Sequence, residues 1–197
     1  LGLSPDMSQG ILFETHAIGG YTGESPLTLA AAYAAFSNGG YYVEPRSFTK
    51  IIYRDTDEVY EVKTAPQKVM SEETAYMISD MLVTTASYYT GRTTVNGVTY
   101  GLKTGTTDYD RATKKAYKLP GNATNDLWVA GITPDYSMAL WYGYEKINSK
   151  YTNKFGSGQN VRLFKAIING TLSGTKNFTK PDGVVEVTIE KETNPAM

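Results

Sequence analysis

Two apolar runs, Leu127-Trp128-Val129-Ala130-Gly131-Ile132 and Met138-Ala139-Leu140-Trp141-Tyr142-Gly143-Tyr144, are separated only by Thr133-Pro134-Asp135-Tyr136. Pro at the first central position of a turn between β-rich runs predicts an antiparallel hairpin, with strands over 127–132 and 138–144. A link this short cannot hold the crossover that a parallel pair needs, so this part of any sheet must be antiparallel. A second turn signal, Val95-Asn96-Gly97-Val98, has Asn-Gly between β-branched residues and leads into a strand over 100–104.

Helices are signalled around these strands. Ser25-Pro26 offers a capping hydroxyl followed by a proline suited to the first helical position, and Asn38-Gly39-Gly40 supplies a left-handed stop. Between them Leu27, Leu29, Ala30, Ala31, Tyr33, Ala34 and Phe36 are apolar nearly all round, which predicts a buried helix. Ser71-Glu72-Glu73 caps a second helix, with Ala75, Met77, Ile78, Met81, Leu82 and Ala86 at helical spacing and an end near 88–91. Val161, Phe164, Lys165, Ile168 and Leu172 predict a third. Strands over 41–43, 48–53 and 59–62 form a small meander, 108–125 is a long polar loop, and 184–189 is a last strand. The fold class is therefore α/β of the α+β type, an antiparallel sheet flanked by helices.

The chain has 197 residues, enough for one domain or one plus a part. With 19 Lys+Arg against 20 Asp+Glu its net charge is −1, so no broad basic surface exists and nucleic acid is not expected as a partner. There is no cysteine and a single histidine, His16. That excludes disulfides, thiolate nucleophiles and zinc ribbons, and argues against a histidine-rich metal site or a local Ser-His-Asp triad. No metal and no cofactor is expected; chemistry must use hydroxyls, amines, carboxylates or backbone. No run approaches the 18 or so apolar residues of a membrane span, and the amino end lacks the pattern of a signal peptide. His16 is expected to pack locally, and Trp128 and Trp141 to anchor the core or a sheet face.

The segment densest in chemistry is Gly101-Leu102-Lys103-Thr104-Gly105-Thr106-Thr107. It brings a fixed positive charge, hydroxyl donors and an approachable backbone into one short span, a combination that suits a carboxylate. Side-chain alternation would put Lys103 and Gly105 on one face and Thr104 and Thr106 on the other, so all four converge only if the strand twists or distorts. A phosphate loop is excluded, because the lysine would have to follow the glycine of that motif and here precedes it. Tyr88, Tyr89, Gly91 and Arg92 are candidates for the border of a cleft, or simply for a helix stop.

Lys103-Thr104-Gly105 is preceded by the Ser25-Pro26-Leu27 helix ending in Asn38-Gly39-Gly40, and followed by Asp126-Leu127-Trp128-Val129-Ala130-Gly131-Ile132-Thr133-Pro134 and Trp141-Tyr142-Gly143-Tyr144. In this order, over 25–144, the chain resembles the transpeptidase domain of the penicillin-binding proteins, most like the bifunctional class A enzymes. The resemblance implies the β-lactamase/DD-peptidase fold, incomplete in this chain, with 1–180 the C-terminal part of the domain and 181–197 a terminal strand and the start of a linker. It also implies serine acyl transfer in peptidoglycan cross-linking, with stem peptides and β-lactams as ligands and the missing N-terminal part of the same domain as a partner. Localisation would be the extracytoplasmic face of a bacterial membrane, through an upstream anchor.

Carried over residue by residue, Lys103 and Thr106 are the catalytic candidates, and Thr104, Gly105 and Thr106 bind substrate. Lys103 would supply positive potential, the two threonine hydroxyls would bind the substrate carboxylate, Gly105 would leave room for substrate, and the Thr106 N–H would be one oxyanion donor. The family's other two motifs do not follow. No Ser-x-Asn occurs, and Ser-x-x-Lys occurs only at Ser47-Phe48-Thr49-Lys50 and Ser173-Gly174-Thr175-Lys176. The first falls in a predicted strand, where residues three apart face opposite sides, and the second in a glycine-containing loop. The nucleophile is therefore expected outside this chain. A noncatalytic peptide or β-lactam sensor of the same fold, and an adhesin-like β-rich module with no cleft at Thr104 and Thr106, are the alternatives.

Overall fold

The computed structural model describes residues 1–6, 14–21, 23–147, 150 and 158–188. The first long helix, α1 (Pro26–Ser37), is closed by a reciprocal cap: the Thr28 N–H donates to Ser25 Oγ at 3.2 Å and the Ser25 N–H to Thr28 Oγ1 at 3.0 Å. It is less enclosed than its apolar sequence suggests. Only Ala31, Ala32 and Ala35 are buried, and Leu27 is 63% exposed. The alanines permit a close approach where α1 lies along the sheet described below.

The expected meander is only partly formed. β1 (Tyr41–Tyr42) pairs with β4 (Gln67–Lys68), while β2 (Lys50–Ile52) and β3 (Val59–Glu61) make a separate antiparallel hairpin. Gly40 (φ 85°) feeds β1 into that pairing, its carbonyl accepting the Val69 N–H at 2.9 Å. A Cβ at Gly40 would lie 2.3 Å from the Met70 carbonyl oxygen, so the close approach requires glycine.

Helix α2 (Glu72–Thr90) starts at Ser71, whose Oγ accepts the Thr74 N–H, and stops at Gly91 in the left-handed region (φ 74°). It buries Ala75, Ser79, Leu82 and Ala86, and Ser79 donates to the Phe36 carbonyl at 3.0 Å, tying α2 to the end of α1. β5 (Thr94–Val95) and β6 (Val98–Thr99) flank the Asn96-Gly97 turn, both of whose φ angles are positive as such a tight hairpin requires.

The main sheet has three strands in the order β7 (Gly101–Asp108), β8 (Thr124–Ile132), β9 (Ser137–Gly143), all antiparallel. The two sequence hairpins thus sit where the turn chemistry puts them. The loop over 108–125 is shorter than expected at both ends, because β7 runs to Asp108 and β8 begins at Thr124, and it holds the short helix α3 (Arg111–Ala116). Helix α4 (Gln159–Thr171) covers one sheet face, with Phe164 set against Gly131; a Cβ there would fall 2.4 Å from the ring.

Tyr100, Leu102, Val129, Phe164, Ile168 and Leu172 form the centre of the core, with Ala86, Val95 and Val98 around them. Ala130 and Ile132, on the opposite sheet face from Phe164 by alternation, are buried as well, so the sheet is covered on both sides. Residues 184–188 pair with no strand, contrary to the sequence expectation, and Ile189 lies outside the described residues. Among the described residues no helix is long and apolar enough to cross a membrane.

Candidate active site

Lys103, Thr104, Gly105 and Thr106 all lie in β7, paired with Ala130, Val129, Trp128 and Leu127 of β8. The register has no shift until Thr107/Asp108, so alternation holds strictly through the motif. No distortion gathers the four side chains on one face. Thr104 and Thr106 share the face of Leu102 and Val129, which α4 covers further along, and Lys103 and Gly105 take the face of Trp128.

At the N-terminal end of α4, that first face opens into a groove of about 590 Å³. Thr104, Thr106 and Asp108 of β7 form one wall. Gly158, Asn160 and Val161 from the start of α4 form another, with Thr124, Asn122 and Tyr89 completing the lining. Thr104 is half-buried and Thr106 exposed, so both hydroxyls are within reach of a ligand. β7 is an edge strand of the main sheet, and among the described residues no strand pairs with the other side of its backbone.

Lys103 stands outside this groove. Its side chain is exposed and its Nζ donates to the Thr104 carbonyl at 2.8 Å, across the strand from the two hydroxyls. The grouping expected from sequence therefore divides into a hydroxyl pair in the groove and an ammonium on the far face. Gly105 lies on the Lys103 face between the two threonines; a Cβ there would sit 3.3 Å from Trp128 Cβ.

The flanking candidates separate in the same way. Tyr89 lines the groove, while Gly91 serves as the C-cap of α2 and Arg92 braces α4 through Asn169 Oδ1 at 2.9 Å. Trp128 and Trp141 face each other across the hairpin at 6.5 Å between ring centroids, and Trp141 Nε1 donates to Asp126 at 2.7 Å. They are a half-open sheet-face pair, not core. His16 packs edge-on against Tyr21 at 6.0 Å. Ser47 and Lys50 lie at a bend and the start of β2, and Lys176 forms an ion pair with Asp135, so neither Ser-x-x-Lys match sits on a helix.

Sequence reasoning missed Asp108, Thr124 and Asn160. The first two fall within 108–125, which the sequence reads as a long polar loop. Asn160 had a usable signal, being a polar residue on the apolar side of a helix, and it is buried with its Nδ2 donating to the Trp128 carbonyl. Among the described residues no cluster of three or more His, Asp or Glu side chains is placed to hold a metal ion.

The family model described as "Penicillin binding protein transpeptidase domain" matches residues 4–169. Penicillin-binding protein 1A/1B of Bacillus subtilis is 37% identical over 201 residues, covering 99% of this chain but 22% of that protein. Penicillin-binding protein 1A of Streptococcus pneumoniae is 34% identical over 82% of this chain and 23% of its own length. The chain thus spans about a fifth of these relatives. Among solved structures, the penicillin-binding protein PonA1 from Mycobacterium tuberculosis superimposes with a TM-score of 0.62 at 20% identity, over 82% of this chain and 45% of that one. Its complex with penicillin V gives 0.61 at 21% identity, over 86% and 44%. With residues 4–169 matched by the family model, this chain belongs to the penicillin-binding protein transpeptidase domain family.

Proposed function

We propose that this chain is the C-terminal part, over 1–180, of a peptidoglycan cross-linking DD-transpeptidase domain and supplies the Lys-Thr-Gly wall of its active site. The observation that carries the reading is the pair of hydroxyls, Thr104 and Thr106, on one groove wall of an edge strand. Two neutral donors side by side suit the terminal carboxylate of a stem peptide or a β-lactam. Extended substrate can lie along the unpaired edge of β7 by backbone pairing.

In this reading a serine from outside the chain attacks the penultimate D-Ala carbonyl. The oxyanion is held by the Thr106 N–H and the serine's own N–H, D-Ala leaves, and the amine of a second strand takes the acyl group. One oxyanion donor is worth about 3–4 kcal/mol of transition-state stabilisation. Lys103, on the face away from the groove, adds positive potential near the carboxylate and the acyl acceptor from behind the strand. The whole protein would also carry a glycosyltransferase domain and an anchor upstream, and would work at the extracytoplasmic face of the membrane.

The test is acylation by a fluorescent penicillin. A longer polypeptide that includes the upstream Ser-x-x-Lys becomes labelled, and the 197-residue chain alone does not. Labelling of the chain alone at Ser47 or Ser173 would overturn the assignment of the nucleophile to another segment. Labelling of the longer protein without any transfer turnover would favour a sensor over an enzyme.

A further inference from the structure

The groove continues past Thr106 to a second group of polar residues that carboxylate binding does not use. Thr124 opens β8 and is 5% exposed, yet among the described residues its Oγ1 has no hydrogen-bond partner. A buried hydroxyl without a partner is destabilising, so one retained in a groove wall points to an acceptor or donor brought from outside. Its register partner is Asp108, reached through the pairing shift after Thr107, so the irregularity sets a hydroxyl and a carboxylate together at the end of the wall. Both line the groove.

Facing them is the start of α4. Its N-cap is Gly158, which has no side chain to accept from the first-turn amides, and no side-chain cap bond is made. The positive end of a 13-residue helix therefore opens on the groove. Asn160 is not spare, since its Nδ2 holds the Trp128 carbonyl, and that bond fixes the first turn of α4 against β8.

These groups select a chemistry. A hydroxyl and the positive end of a helix attract an oxygen acceptor, but Asp108 beside them repels a second full negative charge and attracts an N–H. A peptide amide offers a neutral carbonyl oxygen and an N–H within one planar unit. We propose that Thr124, Asp108 and the first turn of α4 form a subsite for a backbone amide of the peptide whose carboxylate is held by Thr104 and Thr106. This deepens the proposed function and rests on its carboxylate reading.

The experiment is an amide NMR titration of the ¹⁵N-labelled chain with N-acetyl-D-Ala-D-Ala and, separately, with acetate. Both ligands should shift the Thr104 to Thr106 amides, and only the dipeptide should shift Thr124, Asn160 and Val161. Thr124→Val, which keeps the shape and removes the orphaned hydroxyl, should leave the melting temperature equal or higher while weakening the dipeptide about fivefold, the effect of one net hydrogen bond. Acetate affinity should be unchanged, and Thr124→Ser, which keeps the hydroxyl, should restore dipeptide binding. If the dipeptide binds Thr124→Val as tightly as the parent, or shifts only Thr104 to Thr106, the subsite is overturned while the carboxylate reading stands. If neither ligand shifts Thr104 and Thr106, both fall together.

Discussion

At the scale of single residues the motif was legible as chemistry but not as a place. Alternation separated Lys103 from Thr104 and Thr106 on paper, and the regular pairing of β7 retains that separation, with the ammonium on the Thr104 carbonyl and the hydroxyls in the groove. What sequence did not offer was Thr124 and Asp108, because the strand limits on either side of the α3 connection depend on pairing between residues far apart. Two substitutions follow from these positions. In a polypeptide extended to include the nucleophile proposed to lie outside this chain, Thr106→Ala should slow penicillin acylation about 10-fold or more, the worth of a hydrogen bond to a charged group. The exposed site makes the fold indifferent to that change, so an unaltered melting temperature with an unaltered acylation rate would remove the side chain from the mechanism while leaving its backbone N–H in place. Gly131→Ala is the opposite case. Its new Cβ would meet the Phe164 ring at 2.4 Å, and overpacking of this kind should cost about 1–3 kcal/mol in urea denaturation.

At the scale of elements the helix signals translated well because capping is local. Ser25, Ser71 and Gly91 do what their residue types allow, with no help from distant contacts. The two-residue β4 was invisible for the converse reason: Gln67 and Lys68 are exposed and polar, and only the position of β1 makes them a strand. The Asn96-Gly97 turn has a role that its hairpin signal does not announce. Asn96 Nδ2 donates to the Asn169 and Leu172 carbonyls at 3.2 and 2.8 Å, so the turn caps the C-terminal end of α4. Asn96→Asp removes that donor and sets a negative charge at the negative end of a helix, and should lower stability by about 2–3 kcal/mol. Asn96→Gly, which keeps the left-handed turn but not the bonds, should cost less.

The same local logic gives a pH dependence. Bonds from the Thr113 N–H first, then its hydroxyl, hold Asp110 below the usual carboxylate range, and Glu73 is held low mainly by its own backbone N–H, then by Ser71. A carboxyl depressed in the folded state adds stability above its unfolded pKa and loses it as pH falls through the folded value. Stability should therefore decline below about pH 4. Urea midpoints of the parent and Asp110→Asn should converge as acid is added; parallel curves would show that the cap at α3 does not respond to its charge.

At the scale of the whole molecule, a fold incomplete in this chain leaves apolar surface uncovered, and α2 carries such a face. Ala75, Ser79, Leu82 and Ala86 turn inward, while Met77 and Met81, 55% and 59% exposed, and Tyr88, 84% exposed, form a stripe on the opposite side of the same helix. A lone exposed methionine is ordinary, but three large exposed side chains at helical spacing on one helix are not. In the 197-residue chain this stripe faces water. The chain alone should therefore self-associate as its concentration rises, measured by sedimentation or light scattering behind a sizing column. Met77→Glu with Met81→Lys should return it to a monomer at an unchanged melting temperature, because neither side chain is in the core. Association that persists in this variant would shift the contact from the helix to the strand edges, and there a proline at an outward-facing N–H of β7 should abolish it. A monomer at every concentration would mean that the stripe is short enough for water to tolerate, and that the large exposed side chains of α2 do not mark an interface.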